Sequence, residues 1–400
     1  MLNRSISRWA VAALLVIPAS IGAGLAVTAA ASSPPVTYYA CLHNGTLSKV
    51  ATTSQKCATG YKAVSWSAVG PQGAKGAKGT PGANGTNGTA STCILVTMCT
   101  WGANFSAGSY GFEEPLGIAF DGTHLWVANR ASNSVTEFNA TDGSLVQTLS
   151  GGSYGFDAPF GIAFDGTHLW VTNDLGNSVT EIDAVDGSWV ATYSAGYALK
   201  NPEGIAFDGT HLWIANYGGN SVTEIVASTG SWAGTYGDGS YGFNAPIGIA
   251  FDGTHLWVTN QSGNTVTELN AADGSWVQTV SGDGLNEPTF VAFDGTYVWI
   301  TNANGNSVTE LVASSGAWLR TLSGGNYGFN DPQGIAFDGT NMWVANGAGS
   351  VTEFSPSSGW IKTLSGPSYG FSLPFGIAFD GTHLWVSNSS NNSVTEIFNH

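Results

Sequence analysis

One tripeptide, Asp-Gly-Thr, recurs seven times in the last three hundred or so residues of this 400-residue chain. Successive copies are 44, 43, 44, 42, 44 and 42 residues apart, and their aspartates are Asp121, Asp165, Asp208, Asp252, Asp294, Asp338 and Asp380. A period of this length is typical of propellers and solenoids, in which each copy needs its neighbours to bury its apolar face. The repeat therefore predicts one large domain over residues 91–400, where length alone would suggest two or three domains.

Each copy has the pattern of four short strands joined by tight turns. In the first copy we expect strands over Gly117–Asp121, His124–Asn129, Ser134–Ala140 and Ser144–Ser150. Within these segments, residues for one face of the sheet alternate with residues for the other face, which is the period of two that a strand requires. The dipeptides Asp121-Gly122 and Asp142-Gly143 are typical hairpin turns. An all-β fold follows.

The two ends of the repeat region complement each other. The seventh copy reaches His400 without a fourth strand, whereas Thr100–Phe105 matches the fourth strand Ser231–Tyr236 in residue type and in spacing to the next Tyr-Gly-Phe. An N-terminal strand that completes the last unit would close a ring and remove two open sheet edges. This match favours a closed propeller over a solenoid.

Composition and charge restrict the classes of function that this chain can have. Lys+Arg 11 against Asp+Glu 27 gives a net charge of −16, and all the acids lie at or beyond Glu113. Residues 32–100 carry +5 and residues 101–400 carry −23. A nucleic-acid-binding protein needs clustered Lys and Arg to neutralise phosphates, so this class is excluded.

The N-terminal residues 1–31 have the pattern of an export signal. Arg4 and Arg8 precede an apolar run from Ala10 to Val27, and Ala29-Ala30-Ala31 offers small residues for cleavage. The run is also long enough for an uncleaved anchor. Both alternatives predict a secreted or cell-surface protein.

Residues 32–69 are predicted to form a small disulfide-clipped module. Cysteines of an exported chain are expected to pair, and the pairs suggested by spacing are Cys41 with Cys57 and Cys93 with Cys99. The loop closed by a Cys41–Cys57 disulfide would stabilise the module by roughly 3 kcal/mol in the chain-entropy model. The segment from Tyr38 to Trp66 resembles short modules that precede Gly-X-Y tracts in exported bacterial proteins.

Residues 70–90 form a collagen-like tract. Seven glycines occur at strict three-residue spacing from Gly70 to Ala90, as the crowded axis of a triple helix requires. Two alternatives stay open, an extended spacer and a trimeric stalk. The propeller itself is predicted to be monomeric.

Three segments of each copy carry a family resemblance. In the first copy they are Pro115-x-Gly117-Ile118-Ala119-Phe120-Asp121, Leu125-Trp126-Val127-Ala128-Asn129 and Asn133-Ser134-Val135-Thr136. Together they resemble the NHL repeat, and the second is also similar to the YVTN type of propeller repeat. The resemblance extends over about residues 100–400 and implies a seven-bladed β-propeller.

Most repeated residues are interpreted as scaffold. Thirteen of the 15 tryptophans occupy two repeat positions, and the second-strand set is expected to fill the space between blades. The histidines that follow Asp-Gly-Thr are expected to be structural or on the surface. The glutamates of Val-Thr-Glu are expected to accept hydrogen bonds between strands or to face solvent.

Ligand contacts are predicted on one face of the ring, where the resemblance places the fourth-to-first and second-to-third loops. The first kind of loop carries Tyr110, Tyr154, Tyr241, Tyr327 and Tyr369. The second kind starts at an asparagine such as Asn129 and is individualised by Arg130, Tyr217 and Gln261. Aromatic rings with amides and hydroxyls suit a carbohydrate or a polar peptide. The alternative is that Tyr-Gly-Phe packs the loops against the core.

Departures from the repeat suggest a metal site. The residue between Pro and Gly at the channel mouth is polar only in Glu203, Thr289 and Gln333, and acids precede the proline in some copies. Carboxylate oxygens suit Ca²⁺. The candidate ligands are Glu114, Glu203, Glu287 and Asp331. Drift on solvated loops is the alternative, and no other cofactor is expected.

Two functions follow from these features. The favoured one is a non-enzymatic binding or display protein that presents the propeller to protein or carbohydrate at the cell envelope. The alternative is a metal-dependent enzyme at the channel mouth, because propellers of lactonase and virginiamycin B lyase type look similar. That lyase-type repeat usually has Trp-Phe-Thr-Glu where this chain has Trp-Val-Ala-Asn, and no catalytic constellation is evident.

Overall fold

The computed structural model describes residues 101–398 apart from residues 107 and 238, together with three strands nearer the N-terminus. The chain divides into two units, Met1–Ala90 and Ser91–His400. In the first unit, β1 (Thr37–His43) pairs antiparallel with β2 (Thr46–Ala51) on one side and with β3 (Lys62–Ser67) on the other. Cys57, Cys93, Cys99, the export signal and the collagen-like tract lie outside the described residues, as does the side chain of Cys41. No described residue belongs to a helix that could cross a membrane.

The second unit consists of seven four-stranded antiparallel blades. The first strands are β5 (Pro115–Phe120), β9 (Pro159–Phe164), β13 (Pro202–Phe207), β17 (Pro246–Phe251), β21 (Pro288–Phe293), β25 (Pro332–Phe337) and β29 (Pro374–Phe379). The second strands are β6 (His124–Asn129), β10 (His168–Asn173), β14 (His211–Asn216), β18 (His255–Asn260), β22 (Tyr297–Asn302), β26 (Met342–Asn346) and β30 (His383–Asn388). The third strands are β7 (Ser134–Asn139), β11 (Ser178–Asp183), β15 (Ser221–Val226), β19 (Thr265–Asn270), β23 (Ser307–Val312), β27 (Ser350–Ser355) and β31 (Ser393–Phe398). The outer strands are β8 (Leu145–Ser150), β12 (Trp189–Tyr193), β16 (Ser231–Tyr236), β20 (Trp276–Ser281), β24 (Ala317–Ser323), β28 (Gly359–Ser365) and β4 (Trp101–Ser106).

The ring is closed by the N-terminal strand, as the sequence predicted. β4 pairs with β31 in the seventh blade, with Ser106 opposite Ser393 and Phe105 opposite Val394. The first strands line the central channel and each contacts the first strands of both neighbouring blades, including β29 with β5. The seven-bladed β-propeller is therefore confirmed.

Glycine allows the first strands to approach each other around the channel. A Cβ atom built on Gly117 would overlap the carbonyl oxygen of Phe160 in the next blade. Five other blades have glycine at the same position, whereas the fifth has Phe290. In the six blades that have glycine here, the close approach of the neighbouring backbone thus depends on the absence of a side chain.

The core lies between blades. Trp126 of the first blade is fully buried against Leu169, Val171 and Ile182 of the second, and Trp385 packs in the same way on the first blade. The turn aspartate fixes each ring, because Asp121 Oδ2 accepts the indole N–H of Trp126 at 2.7 Å. The same bond occurs in all seven blades at 2.7–2.8 Å. The interblade role predicted for these tryptophans is confirmed.

Candidate functional site

The loops that join outer to first strands and second to third strands share one face, which we call the upper face. The backbone N–H of Arg130 donates to the carbonyl of Glu114 between the two kinds of loop. Adjacent blades are linked here as well, since Asn133 Oδ1 accepts the N–H of Ala158 at 2.8 Å. The predicted position of these loops on a common face is correct.

The five predicted tyrosines of this face lie against the blades. Tyr110 stacks on Phe112 with ring centres 5.3 Å apart, and its hydroxyl donates to the carbonyl of Gly143 at 2.6 Å. Tyr154 makes the same bond to Gly187. The other members stack on their own Tyr-Gly-Phe phenylalanines at 5.1–5.6 Å, and they are Tyr241, Tyr327 and Tyr369. These contacts correspond to the packing alternative, and a ligand role for the five tyrosines stays a prediction.

The asparagines that end the second strands are buried. Asn129 is fully buried, and its Nδ2 donates to Ser134 Oγ at 3.1 Å and to Thr136 Oγ1 at 2.9 Å. The equivalent asparagine of every other blade bonds two third-strand hydroxyls in the same way. These amides hold the second strand to the third.

The three individual loop residues have different environments. Arg130 forms ion pairs with Glu114 at 3.2 Å and with Asp174 of the next blade at 3.3 Å. Tyr217 packs against apolar side chains at the channel mouth. Gln261 is half-buried, and its backbone N–H donates to the carbonyl of the residue before Pro246. Only Arg130 therefore makes a link between charged groups of different blades.

An apolar cluster, which we call the apolar plug, lies at the channel mouth. Its buried members are Leu116, Phe160 and Ile247, against which Phe290 and Phe375 pack. Both Phe160 and Phe290 contact Phe375 edge-on, with ring centres 5.5 and 5.3 Å away. A cavity of about 150 Å³ adjoins the plug and is lined by Phe160, Phe290 and Phe375 together with glycines and branched aliphatic side chains of the first strands. Sequence comparison of the seven copies could have found Phe290, the one residue that replaces the channel glycine.

The three polar residues predicted at the mouth differ in how far their side chains are hydrogen-bonded. Thr289 bonds Thr301 Oγ1 at 2.9 Å and the carbonyl of Pro332 at 3.1 Å, and Gln333 donates to Asp331 at 2.6 Å. Glu203 is 8% exposed, and its Oε2 atom is buried without a hydrogen-bond partner. Burial raises the pKa of Glu203 to about 8; Asp174 adds to this rise and Arg130 opposes it. Glu203 is thus the one chemically unsatisfied group of this trio.

The candidate metal ligands are spread around the ring. Glu114, Glu287 and Asp331 each precede the proline of a different first strand, with φ of 52°, 55° and 54°. Glu114 is engaged by Arg130, and Glu203 belongs to a further blade. Among the described residues, no group of three or more His, Cys, Asp or Glu side chains is placed to hold a metal ion. The calcium site stays a prediction.

The opposite face carries a repeated His–carboxylate contact. His124 Nδ1 lies 3.3 Å from both Asp121 Oδ2 and Glu137 Oε1. Glu137 is buried and accepts a bond from Gln147 of the outer strand at 2.8 Å, and its pKa is raised by burial. Four more blades repeat the His pair, through His168, His211, His255 and His383. The structural interpretation of these histidines and glutamates is confirmed.

The outer strands carry a feature that the sequence analysis counted without assigning a role to it. Five tryptophans, which we call the rim tryptophans, are 43–49% exposed: Trp189, Trp232, Trp276, Trp318 and Trp360. Each lies beside a β-bulge, where the outer strand holds one residue more than the third strand. Most of the residues that follow them are exposed and apolar, among them Val190 and Val277. The rim therefore presents one exposed aromatic ring per blade in blades two to six.

Comparisons with known proteins support the fold. No family model and no curated protein matches the chain. A streptogramin B lyase structure matches with 17% identity and a TM-score of 0.61, over 74% of this chain and 97% of that one. A catalytically inactive virginiamycin B lyase from Staphylococcus aureus with quinupristin matches with 18% identity and a TM-score of 0.62, over 74% and 99%. A selenomethionine-substituted virginiamycin B lyase from the same organism has 19% identity and a TM-score of 0.61, over 74% and 98%. These similarities show that the chain has the architecture of a seven-bladed propeller.

Proposed function

We propose that this chain is an exported or cell-surface binding protein whose propeller presents glycan- or protein-binding surfaces without catalysis. The observation that carries the proposal is the row of rim tryptophans. Large aromatic side chains dominate the energetics of interfaces, and their regular exposure is typical of interaction surfaces. Each rim ring occupies the same position in its blade, so the fold repeats the same contact surface around its circumference.

The apolar plug supports binding over chemistry at the channel mouth. A catalytic site there needs polar groups that can reach a substrate. In this chain the mouth is filled by Leu116, Phe160, Ile247 and the two phenylalanines packed on them. The polar residues Glu203 and Thr289 of the mouth are buried beside these apolar side chains, so partner binding is proposed at the ring surfaces.

Export and display complete the proposal. Residues 1–31 would direct the chain out of the cytoplasm, and residues 70–90 would hold the propeller away from the envelope. The +5 charge of residues 32–100 favours contact with an anionic envelope, whereas the −23 charge of residues 101–400 does not. Sedimentation of the full secreted chain distinguishes the alternatives for the tract: a monomer indicates a spacer and a trimer indicates a stalk.

A binding screen tests the proposal. The full secreted chain is immobilised through a C-terminal tag and exposed to a glycan array and to solubilised cell-envelope proteins. We expect saturable binding to at least one class, at micromolar or lower Kd. The absence of saturable binding to both classes would contradict the proposal.

A second candidate function is a lyase- or lactonase-like enzyme. One observation favours it: Glu203 places a buried carboxyl, whose Oε2 has no hydrogen-bond partner, at the channel mouth of a fold that is similar to virginiamycin B lyases. The test is turnover of quinupristin and of simple lactones with and without Ca²⁺. Loss of a calcium-dependent activity or thermal shift in Glu203→Ala or Glu287→Ala would favour this enzyme. If the wild type converts none of these substrates and Ca²⁺ does not change its melting temperature, the binding function remains the supported one.

A further inference from the structure

The rim tryptophans are held in fixed orientations. The indole N–H of Trp276 donates to Thr279 Oγ1 at 3.0 Å, and that hydroxyl donates in turn to the carbonyl of Tyr241 at 3.2 Å. The other four rings bond the threonine three residues later at 2.9–3.1 Å. A ring fixed in this way loses little conformational entropy when it binds. Its N–H is already used, so the exposed π face is the part left for recognition.

The exposed apolar surface around each ring is small. In blades four to six the residue two positions after the tryptophan binds the buried glutamate of the third strand, as Gln278 does with Glu268 and Lys362 with Glu353. In blades two and three a tyrosine four positions after the tryptophan binds the glutamate instead. The exposed large apolar side chains of these outer strands are thus the tryptophan and, in most blades, the bulged residue after it. The core of a protein–protein interface is a continuous apolar patch. Single flat rings separated by polar groups do not provide one.

A flat ring of this kind fits the C–H face of a sugar. The π face of an aromatic ring is electronegative, and it attracts the weakly positive hydrogens on one face of a pyranose. The surrounding hydroxyl, amide and charged groups can bond the equatorial hydroxyls of the same sugar. Residues 101–400 carry −23, so a neutral polymer can approach where an anionic polymer is repelled.

From these features we propose that the outer rim binds neutral polysaccharide chains by stacking their pyranose rings on the rim tryptophans. This proposal rests on the binding function above and specifies its ligand and its surface. One stacking contact is weak, but several equivalent sites on one rigid ring raise the avidity for a polymer by about 10²–10⁴. The five rings span consecutive blades from the second to the sixth, so a polymer can meet more than one of them.

A pull-down with insoluble polysaccharides tests the proposal. Full secreted chain is mixed with cellulose, chitin and starch granules, and bound protein is measured over a concentration series. The test variant replaces Trp232, Trp276 and Trp318 with alanine, and a second variant replaces the same three with phenylalanine. The control is Val185→Ser, which changes an apolar residue that is 90% exposed. Circular dichroism melts establish that each variant is folded, as expected for exposed positions.

We expect the wild type to bind at least one of the three polymers. The triple alanine variant should bind at least about tenfold less tightly, while the phenylalanine variant and Val185→Ser retain most of the affinity. Unchanged binding by a folded triple alanine variant would overturn the proposal, and so would equal loss in the phenylalanine variant, since stacking needs only the ring. Wild-type binding to alginate or pectate but to no neutral polymer would overturn the ligand class. Binding to envelope proteins alone would overturn this inference and leave the general binding function standing.

Discussion

At the scale of single residues, buried acidic side chains differ in whether they have a hydrogen-bond or ion-pair partner. Glutamates of the third strands are buried in six blades and half-buried in the seventh, yet each meets a partner, such as Tyr193 for Glu181 and Arg320 for Glu310. The partner changes from blade to blade while the glutamate does not. Glu203 is buried to a similar degree and its Oε2 has no such partner. Folding therefore favours the neutral, protonated form of Glu203.

Glu203 should make stability dependent on pH. Its carboxyl has a folded pKa of about 8, above the ordinary value of 4.5, so the folded state keeps a proton that the unfolded chain loses. The resulting stabilisation is present below pH 4.5 and is lost as the pH rises to about 8. At about 1.4 kcal/mol per pKa unit, the loss is on the order of 5 kcal/mol.

The neutral, isosteric Glu203→Gln variant should avoid this loss. Its melting temperature should be close to that of the wild type at pH 5 and clearly higher at pH 9. Glu287→Gln, at an exposed position, serves as the control and should show no such divergence. A difference between wild type and Glu203→Gln that is the same at both pH values would show that Glu203 is not protonated in the folded protein.

At the scale of strands, the contact between neighbouring first strands depends on glycine. A Cβ atom on Gly204 would overlap the carbonyl oxygen of Ile247, which is backbone and cannot rotate away. The Gly204→Ala variant should lose about 1–3 kcal/mol of unfolding free energy, measured in urea. Gly152→Ala adds the same methyl group where no atom lies within 4 Å, and it should change stability by less than about 0.5 kcal/mol. Equal stability of the two variants would contradict the close packing of the first strands.

The strands themselves were predictable because their signals are local. The second strand was expected over His124–Asn129 and is found there, since alternation and an Asp-Gly turn fix both of its ends. The exposure of the rim tryptophans was not predictable in the same way. The bulge beside Trp276 breaks the alternation, so the period of two no longer tells which residues face solvent.

The directions of the loop side chains could not be predicted from the sequence either. Repetition indicated that Tyr110 and its equivalents lie in upper-face loops, but it does not give the path of the loop backbone. The structure turns Tyr110 down between blades onto Phe112 and the carbonyl of Gly143. The pairing of Arg130 with Asp174 depends on blade geometry in the same manner, since the two residues are 44 positions apart.

At the scale of the whole molecule, ring closure depends on six residues from the N-terminal side. In β4, Phe105 packs against Trp385 and Phe138 with ring centres 5.7 and 6.1 Å away. Asn104 donates to Thr395 at 2.9 Å and to Ser393 at 3.2 Å. Without β4, the edge of β31 would be open to solvent and Trp385 would lose part of its cover. The seventh blade would then be the weakest point of a ring whose other blades are complete.

A variant that begins at Tyr110 should therefore melt well below one that begins at Cys93. Loss of the packing of the half-buried Phe105 ring costs about 1.5–3 kcal/mol, which corresponds to a decrease of roughly 3–6 °C for a domain of this size, and loss of the β4 ladder adds to it. Phe105→Ala in the longer chain separates the two contributions, because it removes the ring and keeps the backbone ladder; it should show a smaller decrease. The open edge of β31 should also make the shorter variant self-associate in sedimentation. Equal melting temperatures with a monomeric shorter variant would mean that six blades and a three-stranded seventh are stable alone, and that β4 is not what closes the ring.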